Sequence, residues 1–226
     1  MAKHPGDGYD FETLLAQFSA PVTDFDCGQL CSPENDGKPR CCEGEGTVPV
    51  LYRKEYDLLR RRSDLWKRYK PSCSEGRKME QELGDYRLAV CKGVAFCERE
   101  NRSLNCRSFP FMPYLDHDGE VKGLVFDLEA AEGKCPLVGL PQVVTKRYLR
   151  ESMAFWRGIV DGDDGEGQFY RDESKKLRKR MAAKKKAVSV LCEEGIRSFP
   201  ATKKKHEALK RQGKLPLLMP LTRPEG

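Results

Sequence analysis

Apolar and polar positions along the chain change period several times, and each change marks a new element. In "DFETLLAQF" (10–18), Phe11, Leu14, Leu15 and Phe18 recur three and four apart behind Asp10. That spacing predicts a helix with Asp10 as its N-cap. "LYRKEYDLLRRRSDLWKRY" (51–69) predicts a second helix, with Leu51, Tyr52, Tyr56, Leu58 and Leu59 near one face. "YRLAVC" (86–91) and "VAFC" (94–97), joined by Lys92 and Gly93, predict a short hairpin whose ends carry cysteines. "ERENRSL" (98–104) fits one or two helical turns. "FMPYLD" and "VKGLVFD" flank "HDGE", where Asp118-Gly119 is a hairpin-turn signal. "PQVVTKRYLRESMAFWRGIV" (141–160) opens with a proline suited to the first position of a helix.

The pattern then breaks. "DGDDGEGQ" (161–168) is acidic and glycine-rich, lacks a calcium-loop spacing, and predicts a linker. Beyond it, 169–194 and 201–212 predict basic helices ahead of a proline-rich end. The expected fold is a small α+β structure, mostly helical, with short hairpins and irregular cysteine-rich loops around a metal site. Its expected organisation is a cysteine-cluster metal-binding domain over 1–160, the linker at 161–168, and a basic helical C-terminal extension over 169–226.

Charge sharpens that division. Residues 1–170 carry 24 Lys+Arg against 29 Asp+Glu, whereas 171–226 carry 17 against 6. A mildly acidic cysteine-bearing part is thus joined to a strongly basic tail, and the two are expected to do different work. At 38% hydrophobic and 34% charged, the 226-residue chain is polar but can still bury a core. No run approaches the ~20 apolar residues of a membrane span. No apolar segment follows Lys3, so a secretory leader is not expected and a cytoplasmic location is.

In such a reducing compartment, 10 cysteines point to metal ligands or catalytic thiols rather than disulfides. They fall into groups: Cys27, Cys31, Cys41 and Cys42; then Cys91, Cys97 and Cys106; then Cys135, followed by Pro136. Cys73 and Cys192 stand outside and read as packing residues. Polar, glycine-rich loops offer the grouped thiols no core to fill, so these eight are the candidate metal ligands. Adjacent Cys41 and Cys42 are poorly placed to bond each other, because the eight-membered ring strains the peptide between them. Their side chains diverge, so one is expected to ligate the principal metal while the other serves a second metal or packs. Cys42 is the choice for the principal site, with Cys91, Cys97 and Cys106 as companions. Paired CxxC knuckles are absent and histidine is confined to His4, His117 and His206, which counts against mixed Cys/His zinc. An iron–sulfur cluster, of the four-iron type, is the first expectation and Zn2+ the second.

The motifs "CGQLC…RCC", "C…FCERENRSLNCRSFPF" and "CPLVG" resemble the YkgJ-type cysteine-cluster family, described as a zinc- or iron-chelating domain. Flagellin lysine N-methylases belong to the same superfamily. The likeness covers about 27–139. It matches Cys27, Cys31, Cys41 and Cys42 to the first group, Cys91, Cys97 and Cys106 to the second, and Cys135-Pro136 to the last. Asn101-Arg102 precedes and Arg107, Phe109 and Pro110 follow the central cysteine of "CRSFP" as in that family. Nine residues separate Cys31 from Cys41 where the family has about two, and Ser103 stands where it has proline.

Three functional readings follow. In the first, clustered cysteines hold a metal while Arg102 and Arg107 hydrogen-bond its sulfurs or neighbouring carbonyls. In the second, implied by the resemblance alone, the protein is an S-adenosylmethionine-dependent protein-lysine methyltransferase of the flagellin type. No glycine-rich strand–turn–helix start supports a nucleotide site. In the third, "KKLRKRMAAKKK" (175–186) and "KKKHEALKRQGK" (203–214) bind nucleic acid, an acidic protein partner or an anionic membrane.

Overall fold

A computed structural model describes residues 5–42, 48–84, 86–127, 135–213 and 216–221. The fold is α+β, with two antiparallel sheets. The chain forms two compact units, Met1–Ser19 with Cys27–Phe109, and Ala20–Asp26 with Pro110–Gly226. No helix among the described residues is long and apolar enough to cross a membrane.

In the first unit, α1 (Phe11–Gln17) begins where Asp10 accepts backbone N–H bonds from Glu12 and Thr13, and it buries Phe11 and Leu15. Strand β1 (Val50–Leu51) leads into α2 (Arg53–Arg62), which turns Leu58 and Leu59 inward. The helix stops at Arg62, short of the expected 69. Ser63 is extended, and Trp66–Arg68 forms β2 against β3 (Arg87–Cys91). Three successive arginines crowd the last turn, and burying Trp66 in the sheet outweighs another turn of helix. Helix α3 (Ser74–Glu82) precedes β3, which lies between β1 and β2. Residues 94–97 therefore do not pair with 86–91. Gly93 takes a positive φ and Val94–Phe96 forms a 3-10 turn. Arg99–Asn101 is a second such turn, and α4 (Leu104–Ser108) closes the unit.

The second unit is built on a five-stranded meander, β4 (Phe111–Leu115), β5 (Val121–Phe126), β6 (Val188–Cys192), β7 (Gly195–Phe199) and β8 (Leu217–Pro220). Gly119 supplies the positive φ of the β4–β5 turn. Helices α5 (Lys146–Gly162) and α6 (Asp164–Ala183) pack on β5 and β4, and α7 (Lys203–Gln212) joins β7 to β8. A bulge at Tyr114/Leu115 frees backbone groups that α6 then satisfies. Leu115 N–H donates to Ser174 Oγ at 2.9 Å, and buried Arg178 donates to the Leu115 carbonyl from 5.8 Å above the Tyr114 ring centre. Residues 161–168, expected to be a linker, end α5 and open α6; Asp163 caps the new helix by accepting from the Gly165 and Glu166 amides. The cysteine-bearing chain divides after Phe109 rather than near 161. The basic segment is no helical appendage either. Its 188–192 stretch is β6, because alternating Val188 and Val190 complete the apolar cluster of Tyr114, Val125, Cys192 and Phe199. The proline-rich end from 222 lies outside the described residues.

Candidate metal centre

Six of the eight candidate cysteines gather in the first unit, delivered by five segments. Cys27 opens the 3-10 turn Cys27–Leu30, and Cys41 and Cys42 end the turn Arg40–Cys42. Cys91 is the last residue of β3, Cys97 follows the Val94–Phe96 turn, and Cys106 lies in α4. Their nearness shows in their mutual electrostatics. The Cys41 thiol donates to the Cys42 sulfur, and that bond, burial, and the proximity of Cys42, Cys27 and Cys106 push its pKa far above the ordinary thiol value. Desolvation, with Cys42 and Cys91 close by, raises Cys106 to about 12, against a hydrogen bond with Ser103 and the Arg102 charge, which lower it. Cys41 and Cys106 nonetheless keep solvent-exposed faces.

Arg102 is the cation at this centre. Its Nε donates to Cys97 Sγ at 3.0 Å, and Cys97, Cys42 and Cys106 together raise its pKa against the cost of burial. Arg107 does different work. Its guanidinium donates to the carbonyls of Arg102 (3.0 Å), Glu100 (2.7 Å), Leu15 (2.6 Å) and Phe18, tying α1 and the Arg99–Asn101 turn to α4. One arginine therefore addresses a sulfur and the other the backbone that positions it.

Of the other candidates, Cys31 packs within the first unit and Cys135 falls in the second. Cys31 is buried, its thiol donating to the Gly28 carbonyl and accepting from the Arg40 amide, each at 3.5 Å. It closes the loop that bears Cys27 and Cys42, filling space the turns leave. Cys135 belongs to the second unit, ahead of the Pro136–Gly139 turn. Cys73 accepts from the Gly76 amide at the start of α3, and Cys192 is buried in the second core.

Two supporting residues carried little sequence signal. Ser103, fully buried, caps α4 by accepting from the Cys106 amide at 3.2 Å, so it starts the helix where proline would also serve. Glu55, 1% exposed, accepts from Leu104 N–H at 2.6 Å and Tyr52 N–H at 3.3 Å. It joins the first turns of α2 and α4, and its spacing from Tyr52 was the one clue available. Burial raises its pKa to about 7 despite these bonds and the charge of Arg107.

In the second unit, Asp116, Asp118 and His206 bring ligand-type atoms within 4.8 Å of one another. Lysine ammonium groups already pair with both carboxylates. Lys122 lies 3.5 Å from Asp116, and Lys210 and His206 lie 2.7 and 3.4 Å from Asp118. The group pins α7 to the β4–β5 turn. No family model matches the chain, and no curated protein and no solved structure does either.

Proposed function

We propose that the first unit is a metal-binding module of YkgJ-like type whose clustered cysteines hold an iron–sulfur cluster, with zinc as second choice. The observation that carries this reading is the convergence of Cys27, Cys41, Cys42, Cys91, Cys97 and Cys106, with Arg102 beside Cys97, Cys42 and Cys106. Thiols so crowded oppose one another's ionisation, and a central cation reverses that by stabilising the thiolates. The two kinds of centre ask different spacings of the sulfurs. Four sulfurs on tetrahedral zinc stand roughly 3.8 Å apart. A four-iron cluster spreads them to the order of 6 Å, since the irons stand between them. No three cysteine sulfurs among the described residues lie within 4.8 Å of one another.

Cys42, Cys91, Cys97 and Cys106 are assigned as the ligands. Cys41, protonated and donating to Cys42, supports its neighbour's sulfur, and Arg102 does the same for Cys97. Such a centre supplies one-electron redox chemistry or structural cross-linking of irregular loops. Methyl transfer gains no support from a particular feature. Both sheets are antiparallel, whereas the usual nucleotide crevice needs parallel strands joined through a helix.

Metal-to-protein ratios for Cys42→Ser, Cys41→Ser and the double variant test the assignment. Cys42→Ser is expected to lose most of the metal, and Cys41→Ser to keep most of it with an altered spectrum. Full occupancy and an unchanged spectrum in both single variants would remove the adjacent pair from the site.

A further inference from the structure

Six lysines converge at one end of the second unit's sheet. The β6–β7 register pairs Val188 with Phe199 and Ser189 with Ser198, so residues before 188 and after 199 leave the sheet at the same end. Lys184, Lys185 and Lys186 arrive there from α6, and Lys203, Lys204 and Lys205 begin α7. All six are exposed. The first set is held by a closed turn in which Lys185 takes a φ of 55° in the left-handed region and its amide donates to the Ala182 carbonyl. Beside the lysines runs a groove of about 280 Å³ lined by Ala187, Pro200, Lys205, Leu209 and Pro216.

The structure sorts these cations from several of their neighbours in the same basic stretches. Lys176 pairs with Glu173 at 2.6 Å, Lys210 with Asp118 at 2.7 Å, and Arg178 is buried on the Leu115 carbonyl. None of the six makes an ion pair among the described residues. Three of them also sit in the first turn of α7, which holds no acidic residue, the end where the helix dipole disfavours cations. This concentration of unpaired charge is a cost to the isolated protein that a polyanion would relieve.

We propose that this end of the second unit binds duplex nucleic acid along its phosphates, without reading its sequence. The six are all lysines, which meet phosphates as point charges and lack the fork with which arginine reads guanine, although exposed Arg180 lies one turn before Lys184. No aromatic residue lines the groove, so single-strand base stacking has no platform. The duplex offers the denser row of charge, one per ~1.7 Å of axis. An anionic membrane would want large exposed apolar side chains beside the lysines, where the groove offers only alanines, prolines and Leu209. The exposed Leu217, Leu218 and Met219 instead run along β7 from Arg197 toward Gly195, away from the lysine end.

Fluorescence anisotropy of the full chain with a labelled duplex of about 20 base pairs tests this across salt. Six phosphate contacts give a log–log salt slope of about −5, and an affinity loss of roughly 10³ between 50 and 200 mM salt. Replacing either set, K184Q/K185Q/K186Q or K203Q/K204Q/K205Q, should flatten the slope by about 3. The arginine version of each set should retain binding, as should K67Q/K70Q in the first unit. Circular dichroism matching the parent keeps a folding defect apart from a binding defect. Parent-like slopes in both glutamine variants would overturn the proposal. So would binding to phosphatidylserine vesicles with none to the duplex, or preference for a single duplex sequence.

Discussion

Burying Glu55 makes the first unit's stability depend on pH in a direction opposite to that of most carboxylates. The side chain is 1% exposed, and its pKa is raised from 4.5 to about 7. As pH rises from about 4.5 to 7, the unfolded chain gives up this proton while the folded chain keeps it. The folded state binds more protons in that window, so stability falls with rising pH and is flat above it. The span corresponds to about 3 kcal/mol. Glu55→Gln keeps one oxygen to accept from Leu104, puts its amide nitrogen where the second carboxylate oxygen accepts from Tyr52, and cannot ionise. Its stability should stay flat with pH where the parent's falls, so that it gains on the parent by up to about 3 kcal/mol between pH 4.5 and 8. Urea unfolding read by Trp66 fluorescence reports the right unit. Trp66 is buried there with its indole N–H on the Asn101 carbonyl at 2.7 Å, and Trp156→Phe removes the other tryptophan. Parallel pH profiles for the parent and Glu55→Gln, both in that background, would refute the reasoning.

Other substitutions separate the parts of the site. Arg107→Ala should destabilise the first unit by about 2–4 kcal/mol in the same assay, since four carbonyls lose a charged donor, and lysine should not restore it. Arg102→Gln should leave metal content largely intact while lowering the reduction potential of a bound cluster by the order of tens of mV, read by spectroelectrochemistry. Cys73→Ser and Cys192→Ala should leave metal content at the parent value, the second with a small loss of stability from the second unit's core, about 1 kcal/mol. Asp118→Asn should loosen α7 from the β4–β5 turn, seen as faster amide exchange across Lys203–Gln212.

Where local signals agreed, sequence and structure coincide. Asp10 and its apolar spacing give α1, and Asp118-Gly119 gives the β4–β5 hairpin. Failures occur where distant partners decide. Residues 63–69 continue a helical period, yet Trp66 pairs with Cys91, 25 positions on, and no local pattern contains that partner. In 188–192 the preceding helical lysines mask a five-residue strand that forms because β5 and β7 flank it. The acidic glycines at 161–168 resemble a linker, but Asp163 is a helix cap. At the candidate site, grouping and loop chemistry singled out the cysteines. They did not single out Cys31 as a packing thiol, because its burial depends on how the Cys27–Cys42 loop closes. Nor was Glu55 legible as a buried joint, since its partner Leu104 lies 49 residues away.

Iron, acid-labile sulfide and zinc measured together on the full chain, purified without oxygen, test the central claim most directly. The account predicts about four iron and four sulfide per chain, with a broad visible charge-transfer band bleached by reductant, all lost together in Cys42→Ser. A colourless protein with zinc alone would transfer the site to the second choice of metal. A chain with neither metal nor sulfide after reconstitution would contradict metal binding by the cysteine cluster.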